Sequence, residues 1–220
     1  MSEPVEHHVE VVRTARYWTL GPEHGTTDLW MVLHGYKQLA RRFLRRFEPI
    51  DDGSRRIVAP EGLNRFYIDQ APGRHGPESV VGATWMTRED REHEIRDYVR
   101  YLSALAEAHG AGDAGVRTTL LGFSQGVATA ARVAVLGDVR FDRLVLWGDT
   151  LPPDLPMDVA ARRLDGVEVI RVRGRGDRAV SDRRADHERE RLDEAGIVWR
   201  AVTYDGGHDI HEATLRSLAG

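Results

Sequence analysis

Runs that are apolar on consecutive residues, rather than on alternate ones, recur along this chain and alternate with stretches of helical periodicity. "LWMVL" (Leu29 to Leu33) and "LVLW" (Leu144 to Trp147) are the clearest. Similar β-branched or apolar runs lie at Val9 to Val12, Ile57 to Ala59, Thr118 to Leu121, Val167 to Val172 and Val198 to Val202. A strand with one wet face alternates apolar and polar residues, whereas a strand covered on both faces is apolar throughout. Strands alternating with helices therefore predict an α/β chain, with a mostly parallel central sheet and helices on both of its faces.

The helical stretches have their own periodicity. "KQLARRFLRRF" sets Leu39, Phe43 and Phe47 on one face and arginines elsewhere. After Thr87, a stripe of Ile95, Tyr98, Val99, Leu102, Leu105 and Ala106 predicts an amphipathic helix, with Thr87 and Asp90 as a capping box. "SDRRADHERERLDEAG" reads as a solvated helix stopped by Gly196. No repeat or linker divides the 220 residues, so one domain over 1–220 is expected. An apolar share of 41% with 30% charged residues suits a globular chain. The net charge of −4 gives no sign of nucleic-acid binding.

No run approaches a membrane span, and "MSEPVEHHVE" lacks a basic stretch followed by an apolar one, so no signal peptide is expected. The chain has no cysteine, which excludes disulfides and cysteine–zinc sites and fits a cytoplasmic location. Homo-oligomerisation stays open.

The chemistry concentrates in "LLGFSQGVATA". Gly122-Phe123-Ser124-Gln125-Gly126 is a G-x-S-x-G between a predicted strand and a predicted small-residue helix. A sharp turn there would strain the serine backbone, raise Oγ at the carboxyl end of the sheet, and aim the Gln125 N–H at a developing oxyanion. A serine hydroxyl is a poor nucleophile without a base, and the base needs an orienting acid. In this arrangement acid and histidine follow the serine in that order, each after a later strand. Asp177 in "GRGDRAVS" and His208 in "DGGHDIH" occupy those places. Each alone could be an ordinary turn residue; their order and spacing point to Ser124, Asp177 and His208 as a catalytic triad. Asp149 in "WGDTLPPD" is the fallback acid, and His211 is expected to face outward. His208, Asp209 and His211 lack the further ligands a metal would need. His7 and His8 sit in a start expected to fray.

The second oxyanion donor should follow the strand ending in "LHGYKQ", where the Tyr36 N–H is the candidate and His34 is expected to tie down the loop. Residues 60 to 85 form a long Gly- and Pro-bearing stretch, read either as a binding loop or as a surface excursion. Within and beside it, Phe66, Tyr67, Trp85 and Met86 either line an acyl pocket or pack the loop against the core.

The pieces "LHGY", "GFSQG", "GRGDRAV" and "GGH", with "LPP" after "LVLWGD", span nearly the whole chain. Together they resemble the phospholipase/carboxylesterase family of α/β hydrolases, which includes acyl-protein thioesterases. The resemblance implies an α/β-hydrolase fold and no cofactor; the chain between Trp147 and Val167 is too short for a separate cap domain, and no metal is expected. The resemblance also implies small-molecule ester or thioester substrates, cleaved through an acyl-enzyme. A binding module that kept the fold, or a peptidase or transacylase using the same triad, is the alternative.

Two features depart from that family. Lys37 stands where such proteins often carry glycine. Either this position holds a strained positive φ, or the loop differs and the ammonium lies near the site, able to attract an anionic substrate. The stretch "APEGLNRFYIDQ…GATWMTRED" also differs from the thioesterase branch.

Overall fold

The computed structural model describes residues 3–69 and 75–220. In chain order the strands are β1 (Tyr17–Leu20), β2 (Asp28–Leu33), β3 (Arg55–Pro60), β4 (Asn64–Tyr67), β5 (Val81–Thr84), β6 (Arg117–Phe123), β7 (Arg143–Trp147), β8 (Glu168–Gly174) and β9 (Trp199–Tyr204). The helices are α1 (Ala40–Leu44), α2 (Arg91–Ala108), α3 (Gln125–Leu136), α4 (Met157–Arg163), α5 (Asp182–Glu194) and α6 (Glu212–Ala219). A 3-10 turn over Arg45–Ile50 carries α1 onward to Pro49 and beyond.

The main sheet has seven strands in the order β1-β3-β2-β6-β7-β8-β9. Only β1 runs antiparallel, pairing Tyr17 with Pro60 and Leu20 with Ile57 on β3. The other pairs are parallel. Consecutive apolar residues divide between the two faces, as the pleat requires. On β2, Leu29, Met31 and Leu33 join the core beneath α2, α3, α4 and α5. Trp30 and Val32 join the opposite core, closed by Phe43, Phe47, Leu215 and Leu218 from α1, the 3-10 turn and α6. Between β7 and β8 the only helix is the short α4, leaving no separate cap. Among the described residues no helix is long and apolar enough to cross a membrane.

Four expectations are corrected. Val9 to Val12 are not a strand: residues 3–16 have no regular structure, and Val9, Val11 and Val12 are exposed by 84%, 78% and 104%. β-branched residues favour a strand only where a neighbouring strand offers pairing, and here none does. The stretch from 60 to 85 is not wholly irregular, since β4 and β5 form an antiparallel hairpin with Asn64 opposite Thr84 and Tyr67 opposite Val81. Its residues 70–74 lie outside the described residues.

The capping box does not form either. α2 starts at Arg91 behind Asp90, which sits at φ 46, and Thr87 N–H donates to Glu94. Finally, α5 is capped by Ser181 and stopped by Gly196 at φ 67, but it is not solvated all round. Glu188 and Leu192 are buried, and Glu188 accepts the Leu151 N–H and pairs with Arg171. Burial pushes the Glu188 carboxyl up, against the pull of that arginine.

Candidate active site

Ser124 stands at the corner where β6 ends and α3 begins, at φ 53 and ψ −122. A non-glycine residue in that region is strained and persists only where its surroundings impose it. The flanking glycines impose it. A Cβ on Gly122 would lie 2.2 Å from the Gly126 carbonyl oxygen, and one on Gly126 would lie 2.4 Å from that of Leu33. Strand β6, helix α3 and the end of β2 thus approach too closely for any side chain at these positions. Ser124 N–H donates to Trp147 O at 2.9 Å, fastening the corner to β7.

Asp177 lies beyond β8 with its side chain fully buried, and His208 lies in the loop after β9 with its side chain 33% exposed. Oδ2 of Asp177 is 2.8 Å from Nδ1 of His208, while Oδ1 accepts the Ala179 N–H at 2.8 Å. That contact puts the ring proton on Nδ1 and leaves Nε2 as the basic nitrogen. The imidazole packs on Phe123, the residue before the serine, with ring centroids 4.9 Å apart. Among the described residues, no hydrogen bond joins Ser124 Oγ to His208. Such contacts are commonly long in enzymes without substrate and close during the reaction.

The fallback acid is engaged elsewhere: Asp149 pairs with Arg184 at 2.9 Å and accepts the Thr150 N–H. His211 caps α6, accepting the Thr214 N–H, and stacks on Tyr204 rather than facing outward. His8, in a start without regular structure, stacks on His93 with ring centroids 3.9 Å apart and reaches Asp90. His8, Asp90 and His93 are the one group with metal-ligand spacing among the described residues, and none of the triad candidates belongs to it.

The turn after β2 runs beside the serine. A Cβ on Gly35 would lie 3.1 Å from Ser124 Cβ, and Gly35 N–H donates to Gln38 Oε1 at 2.8 Å. Neither the Tyr36 N–H nor the Gln125 N–H has a hydrogen-bond partner among the described residues. His34 is fully buried, donates from Nδ1 to Gly35 O at 2.8 Å, and accepts the Gly62 N–H on Nε2 at 3.0 Å. Burial holds its pKa below the ordinary imidazole value. Lys37 adopts φ 67, and its N–H donates to Ala83 O on β5 at 3.0 Å. The strained positive φ is what the backbone adopts, and the Lys37 side chain also borders the pocket next to Phe123, so the two alternatives hold together.

The aromatic residues divide. Trp85 is 1% exposed, stacks on His34 and donates its indole N–H to His34 O, so it supports the loop and offers no surface to a ligand. Phe66 stacks on Tyr36, and Tyr67 on His75. Met86 lines a groove with Gln125, Thr150, Leu151 and Pro152. The Gln125 carboxamide fastens this side by reaching Thr84 Oγ1 and Met86 O. On the other side, a pocket of about 220 Å³ opens between α1 and the β4–β5 hairpin, bordered by Lys37, Gln38, Arg42, Arg46, Phe123 and Asp209. Nothing in the sequence marks Arg42 and Arg46 for this place, because arginine is the common basic residue throughout this chain.

No family model matches the sequence, and no curated protein matches it. Solved structures do. Acyl-protein thioesterase 2 of Zea mays superposes with a TM-score of 0.70 at 16% identity, over 94% of this chain and 96% of its own. Esterase PE8 gives 0.68 at 19%, over 93% and 96%. The Bacillus cereus carboxylesterase gives 0.63 at 14%, over 93% and 92%. This chain has the α/β-hydrolase fold.

Proposed function

We propose that this chain is a serine hydrolase that cleaves carboxylic esters or thioesters of small or acyl-chain substrates, a carboxylesterase- or phospholipase-like activity of the EC 3.1 class. The carrying observation is the strained Ser124 corner beside the Asp177–His208 pair at 2.8 Å. A binding module gains nothing from holding a serine at that backbone geometry next to a buried carboxylate–imidazole pair.

His208 Nε2 takes the Oγ proton as Ser124 attacks the acyl carbonyl, and Asp177 holds the imidazole and balances its charged form. The Tyr36 and Gln125 N–H groups receive the oxyanion. The imidazolium returns its proton to the departing alcohol or thiol. Water then repeats the sequence on the acyl-enzyme, freeing the acid and restoring Ser124.

A fluorophosphonate probe tests this reading. Mass spectrometry should find the adduct on Ser124, and p-nitrophenyl acetate hydrolysis should vanish with it. A folded protein that reacts elsewhere or not at all overturns the proposal.

A further inference from the structure

The pocket beside Phe123 has a charge pattern that the ester chemistry does not use. Its apolar floor is formed by Phe43, Ile68, Val81 and Phe123, and its rim carries three cations against one anion. Arg46 spends its charge on Asp209, at 3.0 Å. Lys37 and Arg42 have no acidic partner among the described residues, on a chain whose acidic residues outnumber its basic ones, 35 to 31. Local cation excess here is thus not a reflection of overall composition.

The pocket also abuts the reacting groups. Phe123 precedes the nucleophile and touches the His208 ring, Asp209 follows His208, and Gln38 fixes the Gly35 N–H beside Ser124. Lys37 is held at φ 67 by its N–H bond to Ala83 and by Gly82, where a Cβ would meet the Lys37 backbone at 2.6 Å. The backbone of this rim residue is therefore fixed relative to the oxyanion donor Tyr36, its immediate neighbour.

We infer that this pocket selects esters carrying a carboxylate a few bonds from the scissile group, with Lys37 and Arg42 receiving the anion and the apolar floor receiving the short stem between them. The inference rests on the serine-hydrolase reading and names its substrate class. A guanidinium binds a carboxylate through two parallel N–H donors, and an ammonium adds a point charge. Volume sets the length. A cavity of about 150 Å³ holds a benzene, so the pocket suits a moiety of roughly six to nine non-hydrogen atoms rather than a long fatty chain.

The anion can belong to the acyl part or to the alcohol part, and two substrate pairs separate these. The first pair is mono-p-nitrophenyl glutarate and its neutral methyl ester. The second is 4-acetoxybenzoate and its methyl ester. For one pair kcat/KM should favour the anionic member by about tenfold, the scale of two partly screened charges, and the preference should fall as salt rises. Arg42→Gln and Lys37→Gln should each shrink that ratio, and Arg42→Glu should invert it. The ratio is internal to each variant, so a general loss of activity does not imitate the effect. Equal rates within both pairs, with Ser124 still labelled, overturn the anion pocket and leave the hydrolase standing. Absence of both labelling and turnover removes the two readings together.

Discussion

Asp177 and His208, thirty-one positions apart, meet through a single 2.8 Å contact between Oδ2 and Nδ1, and the second carboxylate oxygen is tied to the Ala179 N–H. Neither oxygen is left to rotate, so the ring orientation is set before any substrate arrives. The contact spans two βα-type loops, after β8 and after β9, that parallel pairing brings side by side. Gly148 at φ 78 leaves room for it, since a Cβ there would stand 3.1 Å from the imidazole.

That relationship yields the first prediction. Asp177→Asn should lower kcat for p-nitrophenyl acetate by about 10⁴, because the amide favours the wrong imidazole tautomer. Asp149→Asn, which loses only the Arg184 and Thr150 contacts, should change kcat by less than about threefold. Comparable losses in both variants would reassign the acid.

Ser124→Ala should lower kcat by about 10⁵ to 10⁶, and adding His208→Ala to it should cost little more, since members of such a unit fail together. Additive losses in the double variant would mean that the two side chains act independently.

The glycines around Ser124 make a stability prediction. Gly126→Ala sets a methyl 2.4 Å from the Leu33 carbonyl oxygen and 2.8 Å from that of His34, both backbone atoms that cannot swing away. Overpacking of this kind costs about 2 to 3 kcal/mol. Urea unfolding should register it as a lower midpoint, whereas Gly207→Ala, in the loop before His208 where nothing lies within 4 Å of an added Cβ, should be nearly silent.

How far these features could be read beforehand follows from where their causes lie. The two-faced burial of β2 and β7 is written in consecutive apolar residues, and the serine corner in two glycines. Asp177 and His208 were legible because acid and then histidine follow Ser124, each in a loop after a later strand, the order this arrangement requires. Val9 to Val12 misled because pairing depends on a partner strand that local sequence cannot reveal. Residues 64–67 and 81–84 hid a hairpin because the connection between them is long and rich in glycine and proline. Glu188 looks like any other charge on α5, and its burial is made tolerable by Arg171 on β8 and by the Leu151 N–H, neither of which α5 itself announces. Trp85 could be placed near the site, but its burial against His34 depends on a contact across 51 positions.

His34 couples the stability of the fold to pH. Burial disfavours a charge on His34 and lowers its pKa, and in the folded chain Nε2 accepts the Gly62 N–H, so protonation would also set two donors against each other. The folded pKa therefore lies below the unfolded value of about 6.5. Between those two values the unfolded chain binds the proton and the folded chain does not. Stability from this residue is thus fully present above about pH 6.5 and lost as pH falls toward the folded pKa, with a limiting slope of about 1.4 kcal/mol per pH unit for one proton. His34→Gln removes the titrating group. Urea unfolding between about pH 6.5 and 5 should show a shallower pH dependence in that variant than in the parent chain. Parallel curves would mean that His34 is protonated in the folded state, and that the Gly62 contact is not the hydrogen bond described above.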